Sequence, residues 1–259
     1  MIDLHSHILH EIDDGSRSLA EAVELARAAV SEGVRIMAAT PHGKSSLGGH
    51  NYSVETLRER MLALRAALAE ANIPLKLVAG TEIMAEPGAL ERLQAGELSG
   101  YIGSKAVLIE FPLAVARTSA EQLIFTFQLA GRRVVLAHPE RYQFVRDDPN
   151  TLIPLIERGV LMQLTGDALL GRQGERMRQS AEQLLSHGLI QILASDSHGP
   201  HYGRMPNLGA ARKRAAELVG ETTAALLTEQ IPAAVLSDGP IEPPEPQPIQ
   251  PRRRRFWSW

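Results

Sequence analysis

The chain has 259 residues, 44 % hydrophobic and 22 % charged, enough for one large domain or two small ones with an ample core. It has no cysteine, which excludes disulfides, zinc ribbons, iron–sulfur clusters and every cysteine nucleophile. A formal charge of −3 gives no case for the whole chain as a nucleic-acid binder, and no apolar run reaches the roughly 18 residues of a membrane span.

Aromatic residues are only 4 %, so the core must rest on Leu, Ile, Val and Ala. In chain order, seven runs read as buried strands. Most are continuous apolar stretches, as expected of parallel strands covered on both faces. The first is MIDLH at 1–5. Its Asp3, His5 and His7 fall where a signal peptide needs an apolar stretch, so a cytoplasmic protein is expected. Ser18 with Glu21 then makes a capping-box signal. Leu19, Val23, Ala26 and Val30 share one helical face, and Gly33 ends that helix. VRIMAAT (34–40) is the second strand, and 54–71 is helical, with Leu57, Met61, Leu64 and Leu68 in step. LKLVAG (75–80) and AVLIEF (106–111) are the third and fourth strands. Ser119 with Gln122 opens a helix over about 120–130, and RVVLAH (133–138) is the fifth strand. Helical patterns at 150–158, 174–187 and 208–229 flank the last two strands, VLMQLT (160–165) and IQILAS (190–195), with Gly188 as a helix stop. This alternation predicts an α/β fold with a parallel sheet, a seven-stranded relative of the (β/α)₈ barrel. An open doubly wound sheet is the rival.

The composition changes near residue 238. DGPIEPPEPQPIQP packs six prolines into 14 residues and reads as an extended linker, so 1–237 is expected to be one domain and 238–259 an appendage. The chain ends RRRRFWSW. Arg252, Arg253, Arg254 and Arg255 precede Phe256, Trp257 and Trp259, setting cations beside interfacial aromatics. The tail reads either as a solvated end or as a weak attachment to an anionic membrane face or to a membrane protein's cytoplasmic side.

In a parallel α/β barrel the active site forms at the C-terminal ends of the strands. The first strand ends in His5 and His7, and the second runs into His42. The third ends in Glu82, the fourth in Glu110, the fifth in His138, and the seventh in Asp196 and His198. The sixth delivers Gln163 and Thr165 instead. Any one of these alone is ordinary, because a loop histidine is usually solvated and a strand-end glutamate is often a surface residue. Crowded together in one barrel mouth they would cost several kcal/mol per isolated charge, and divalent cations remove that cost. Residues i and i+2 of a strand point to the same side, so His5 and His7 can reach one ion. Nitrogen and carboxylate donors without thiolate suit Mn, Fe or Zn. With Asp14 of HEIDDGS the donors number nine, too many for one ion, so two or three ions sharing carboxylates are expected. Asp13 is an alternative to Asp14. His10, His50 and His187 read as structural or solvated. His201 reads as a rim residue or a proton donor.

The opening DLHSHILHEIDDGSRSLAEAVELARAA resembles, almost continuously, the bacterial tyrosine-protein phosphatases of the CpsB/CapC/YwqE group in the PHP (polymerase and histidinol phosphatase) superfamily. TPHG at 40–43, GTEI at 80–83, LIEFP at 108–112, LAHPERY at 136–142 and SDSHG at 195–199 resemble the same group in the same order. The likeness covers about residues 1–235. It implies a distorted barrel of the PHP type holding three divalent ions, commonly manganese. By this resemblance His5, His7, Glu82 and Asp196 hold the first ion. Glu82 bridges to a second, also held by Glu110 and His138, while Asp14, His42 and His198 hold the third. Arg141 and Arg204 match positions that contact the phosphoryl group. The implied substrate is the phosphotyrosine-rich tail of a membrane-associated tyrosine kinase that controls polysaccharide export, and no nucleic-acid partner is implied. His10 and Glu11 stand where relatives often have Pro and Gly, and Thr165 where an Asn is common.

Three divalent ions against four carboxylates leave about +2, which suits a phosphomonoester dianion. Metal binding brings water's pKa toward roughly 7. Rival readings are a small-molecule phosphatase such as histidinol-phosphate phosphatase, a PHP exonuclease, a non-catalytic kinase-docking module and a serine hydrolase. Ser6 lies between the two histidines, but no GxSxG elbow appears.

Overall fold

A computed structural model describes residues 1–45 and 52–250. Eight short strands occur among them. β1 (Ile2–Asp3), β2 (Ile36–Ala39) and β3 (Lys76–Ala79) form one sheet. β4 (Glu82–Met84), β5 (Ala106–Glu110), β6 (Arg133–Ala137), β7 (Leu161–Thr165) and β8 (Ile192–Ala194) form the other. Every neighbouring pair is parallel. Val107, Leu108 and Ile109 of β5 are all buried, as are Val134, Val135 and Leu136 of β6. The strands are covered on both faces, so their sequences do not alternate.

The two sheets close into a distorted barrel at the C-terminal ends of the strands. His42 bridges to Glu82, and Ser6 bridges to Ser197. His7 N donates to Ser197 O at 2.8 Å, and Asp196 N to His5 O at 2.9 Å. β1 itself is only two residues long, but its pairing thus continues through the HxH motif. The open doubly wound sheet is ruled out by this closure.

The third predicted strand is interrupted. β3 and β4 are halves of one run, separated at Gly80 and Thr81. The segment 99–102 is wedged beside the lower half. Thr81 N donates to Ser99 O, Ile102 N to Ala79 O and Tyr101 N to Ala106 O. The lower half is thereby kept from β5, while the upper half, which starts at Glu82, pairs with it.

The helices are α1 (Leu19–Ser31), α2 (Val54–Glu70), α3 (Ala89–Gln94), α4 (Arg117–Leu129), α5 (Gln143–Asp147), α6 (Ile153–Glu157), α7 (Gly166–Leu169), α8 (Glu175–Ser186), α9 (Leu208–Val219), α10 (Glu221–Ala225) and α11 (Ile231–Ser237). Ser18 Oγ caps α1 by accepting from Glu21 N, and Gly33 (φ 88°) ends the run. α2 buries Met61, Leu64 and Leu68, each worth about 1.5–3 kcal/mol of apolar transfer. Three expected helices differ. α4 starts at Arg117, where an i,i+4 pair with Glu121 at 2.6 Å supports the first turn, so Ser119 is not its cap. The 150–158 pattern splits into a tight turn, Pro149–Leu152, and α6, because Pro154 lacks the N–H that α-helical pairing needs. The 208–229 pattern breaks at Gly220 (φ 83°).

The core is Leu, Ile, Val and Ala with a few rings used as staples. Tyr142 Oη accepts from Phe111 N at 3.1 Å and donates to Ala137 O at 3.0 Å, tying the ends of β5 and β6 together. Residues 238–250 form neither helix nor strand, yet they lie against the body. Ile249 is buried, and Asn150 exchanges two hydrogen bonds with its backbone. Arg252–Arg255, Phe256, Trp257, Trp259 and His50 lie outside the described residues. No helix among the described residues is long and apolar enough to cross a membrane.

Candidate metal centre

The closed end of the barrel carries the candidate ligands. His5 and His7 leave β1 on one side of the chain, and both rings are buried. Their Nε2 atoms are 3.2 Å apart. Glu82 Oε2 lies 3.2 Å from His5 Nε2 and 3.3 Å from His7 Nε2, and Asp196 Oδ1 lies 3.5 and 3.6 Å from the same atoms. Donor atoms about 2.1 Å from one shared ion have separations of this size.

The other ring nitrogens say which way these imidazoles work. His5 Nδ1 donates to Gln163 Oε1 at 2.8 Å, and His7 Nδ1 donates to Asp13 Oδ2 at 2.6 Å. Each ring therefore turns a bare Nε2 lone pair toward the other, in a dry site beside two carboxylates. A divalent ion makes that arrangement favourable, and the donor set fits one. The same crowding appears in the acid–base balance. Burial pulls His5 down, but Glu82 and Asp196 push it above the ordinary imidazole value. His7 is raised further by Asp13 and Glu82 against the same burial.

Glu82 faces two ways. Its Oε2 also lies 3.2 Å from His42 Nδ1, and its Oε1 lies 3.0 Å from His138 Nε2. Glu110 joins them, with Oε1 3.0 Å from His42 Nδ1 and Oε2 3.7 Å from His138 Nε2. Burial opposes ionisation of Glu82, yet His5, His42 and His138 hold its carboxyl well below the usual range. Burial lowers His42, but Glu82 and Glu110 bring it up to about 9. A third cluster follows. Asp14 Oδ1 is 3.6 Å from His42 Nε2 and 3.4 Å from His198 Nε2, and the His198 ring stacks on His7 at 3.8 Å. His198 Nδ1 donates to Asp196 O, again leaving Nε2 free, and burial beside His7 lowers its pKa. Ligand-type atoms of His7, Asp14, His42 and His198, of His5, His7 and Asp196, and of His42, Glu82 and Glu110 form three groups, each within 4.8 Å. His42 thus stands between the second and third clusters.

Asp13 and Asp14 part company here. Asp13 Oδ2 accepts from His7 Nδ1 and His42 N, and Oδ1 accepts from Gly15 N, so it orients imidazoles from behind. Asp14 turns its carboxylate to the cluster. Gly15 permits this fold-back, since a Cβ there would meet His7 O at 2.0 Å.

Two ligand positions are strained. His138 (φ 37°) and Asp196 (φ 51°) adopt left-handed backbone at the ends of β6 and β8, an unfavourable state for residues with a Cβ. The strain redirects the chain over the mouth. After His138 the tight turn Pro139–Arg141 carries Arg141 back, and its Nη2 donates to Asp196 Oδ2 at 2.7 Å. After Asp196, the loop 199–204 folds back through a Gly199–Arg204 bridge. Arg204 Nη2 then lies 2.5 Å from the same oxygen. Asp196 thus divides its oxygens, Oδ1 to the imidazoles and Oδ2 to the arginines. Despite burial, His5, Arg141 and Arg204 hold its carboxyl far below the usual range. Arg204 Nε–H is buried without an acceptor.

His5, His7, Glu82 and Asp196 form the closed floor, while Asp14, His42, Arg141 and Arg204 are partly exposed. Tyr202 stands exposed on the rim, its ring 6.4 Å from His198. His201 sits beside it with Nε2 on Asp14 O and Nδ1 3.7 Å from Glu21, so neither nitrogen addresses the centre. His10 is buried away from the clusters, and His187 closes α8 by donating to Gln183 O. Glu140 is buried with its Oε1 accepting from Thr165 N at 3.3 Å, and no donor spacing in the sequence marks it.

The family profile described as "Capsular polysaccharide synthesis, CpsB/CapC" matches residues 1–237. Tyrosine-protein phosphatase YwqE of Bacillus subtilis is 37 % identical over 198 residues, 76 % of this chain and 77 % of that protein. Tyrosine-protein phosphatase CpsB of Streptococcus pneumoniae is 29 % identical over 203 residues, 76 % of this chain and 83 % of that one. A crystal structure from the pair YwqE of Bacillus subtilis and CpsB of Streptococcus pneumoniae, metal-dependent tyrosine phosphatases, has a TM-score of 0.89 and 32 % identity. It covers 97 % of this chain and 100 % of that one. The chain belongs to the CpsB/CapC family, the PHP-superfamily group of bacterial tyrosine-protein phosphatases.

Proposed function

We propose that this protein is a metal-dependent phosphatase that hydrolyses phosphotyrosine on proteins. The observation that carries the reading is the shared use of Asp196, whose two oxygens join a four-donor cation site to a pair of guanidiniums. His5, His7, Glu82 and Asp196 would hold one ion, Glu82, Glu110 and His138 a second, and Asp14, His42 and His198 a third. Bound ions of this kind supply a hydroxide nucleophile at neutral pH and neutralise phosphoryl charge. The protein does the rest. Gln163 and Asp13 fix the tautomers of His5 and His7. Arg141 and Arg204 are partly exposed, and their N–H groups would receive the equatorial phosphoryl oxygens. Tyr202 offers an aromatic face at the rim for the ring of a phosphotyrosine. Phenolate, with a pKa near 10, leaves without the acid help an alkoxide needs, which agrees with His201 being turned away.

The metal we propose is manganese, with iron or zinc as the other ions suited to nitrogen and carboxylate donors. The proposed substrate is the phosphotyrosine-bearing tail of a membrane-associated tyrosine kinase in capsule or exopolysaccharide synthesis, acting in the cytoplasm. The family's description, capsular polysaccharide synthesis, and the names of the relatives, tyrosine-protein phosphatases, support the capsule and phosphotyrosine parts of this reading. A non-catalytic docking module would have no use for so complete a donor set. Chelation with EDTA should abolish phosphate release from a phosphotyrosine peptide, and Mn²⁺ should restore it. Turnover that resists EDTA, or that is faster on histidinol phosphate than on the peptide, rejects the reading. Arg141→Ala should keep the metal content while the rate falls about 10²–10³-fold.

A further inference from the structure

At the end of the barrel where the strands start, cations gather that the metal centre does not use. Lys105 stands directly before β5. Arg132 stands directly before β6, Arg133 is its first residue, and Arg158 lies between α6 and β7. These four residues line one cleft of about 470 Å³. β5 runs from there to Glu110, and β6 runs to Ala137, next to His138. The cleft and the candidate ligands therefore lie at opposite ends of the same strands, roughly 15 Å apart along them.

One acid, Asp238, lines the cleft with the four cations. Its Oδ1 accepts from Ser104 Oγ and Lys105 N, both at 2.9 Å. Arg133 is already committed, since its guanidinium donates to Ala234 O and Gly239 O around the end of α11. Lys105 Nζ and the guanidiniums of Arg132 and Arg158 have no hydrogen bond or ion pair among the described residues. Helix ends account for part of this gathering. α4 stops at Leu129, α6 at Glu157 and α11 at Ser237, and the C-terminus of a helix carries about half a negative charge. Three such ends and Asp238 offset at most roughly 2.5 of the four positive charges. The remainder is uncompensated in a chain whose formal charge is −3.

The shape and lining say what would compensate it. Neighbouring strands are about 4.8 Å apart, so cations delivered by three successive strand starts spread over roughly 10 Å. A single phosphate does not reach across them, whereas two or three phosphates in a row do. Gln128 Nε2 donates to Arg158 O at 2.8 Å, which ties the end of α4 to the turn carrying Arg158 and fixes the width of the cleft. No aromatic or aliphatic side chain lines it, so nothing there stacks a nucleobase or seats an acyl chain. We propose that this cleft is a binding site for a small soluble oligophosphate, held by Lys105, Arg132 and Arg158. The arginine forks pair with phosphate oxygens two at a time, and Lys105 adds a point charge. The site is separate from the metal centre, and the proposal does not rest on the catalytic reading.

The probe is inorganic tripolyphosphate, titrated calorimetrically into the full chain with Mn²⁺ in excess so that the metal centre stays loaded. Saturable binding is expected, strongly weakened by about 0.5 M salt. Replacing both Arg132→Ser and Arg158→Ser removes two exposed charged contacts and should lower that affinity about tenfold. Tripolyphosphate also competes at the metal centre, and its inhibition of phosphotyrosine-peptide turnover measures that binding by itself. Both the turnover and its inhibition should be equal in the variant and the parent. Three results would overturn the proposal. Equal calorimetric affinity in variant and parent would place all the binding at the metal centre. Sulfate that binds as tightly as tripolyphosphate would reduce the cleft to general charge screening. Sedimentation with phosphatidylglycerol vesicles that tripolyphosphate does not displace would assign this face to a lipid surface.

Discussion

At the scale of single residues, the centre depends on groups that touch no ion. Gln163 lies on β7, the strand whose end carries no acid or imidazole, yet its Oε1 holds the Nδ1–H of His5. Losing that acceptor frees the ring to present the wrong tautomer. Gln163→Leu should therefore weaken metal binding about 10–100-fold while the far-ultraviolet dichroism stays native. Unchanged affinity in a metal titration would show that packing alone orients His5. Asp13 acts likewise on His7 and also accepts from His42 N. From sequence, most of the clustered side chains were legible as candidates because they lie near strand ends, where side chains of one barrel meet, whereas Asp14 comes from the loop after β1. The supports were less so. Gln163 was visible only as a polar residue inside the apolar run VLMQLT. The pair Asp13 and Asp14 could not be separated before the tight approach of Gly15 to His7 showed which carboxylate turns inward.

At the scale of elements, the third run shows what local pattern cannot convey. LKLVAG continuing into GTEI reads as one strand, and its own residues contain no reason to divide. The reason lies some twenty residues downstream, where Ser99–Ile102 occupies the edge that β5 would take. Gly100 makes the wedge possible, because a Cβ there would sit 2.4 Å from Ala106 O. The Gly100→Ala variant is expected to lose about 1–3 kcal/mol of stability in urea unfolding. The loss should be shared by metal-bound and metal-free protein, since Gly100 packs on Ala106 O, at the start of β5 rather than at its Glu110 end. A loss seen only in the metal-bound form would instead place the wedge in the service of Glu82. The start of α4 teaches the same lesson. Ser119 and Gln122 have the spacing of a cap, but the pair Arg117–Glu121 extends the helix past it. α8, with its glycine stop, and the Ser18 cap of α1 were legible because both signals are local.

At the scale of the whole molecule, the same charges that invite ions govern how stability varies with pH. In metal-free protein, His5, His7 and His42 have raised pKa values, His42 to about 9. Such groups bind protons more tightly folded than unfolded. Their contribution is complete below the unfolded value near 6.5 and is lost as the pH rises through the folded one. His198, with a lowered value, works in the opposite sense, but one ring faces three. The carboxylates of Asp14, Glu82 and Asp196 are held low, so their contribution is already present above about pH 4 and does not change in this window. EDTA-treated protein should thus lose on the order of 2–3 kcal/mol between pH 6.5 and 9, a fall of several degrees in Tm. Metal-loaded protein should move the other way, because its ions compete with protons for those imidazoles and bind more tightly as the protons leave. Parallel melting curves across that range, with and without Mn²⁺, should diverge with rising pH. If both forms track together, the imidazoles are not held by the surrounding carboxylates, and the clustered donors at the barrel mouth do not exchange protons for metal.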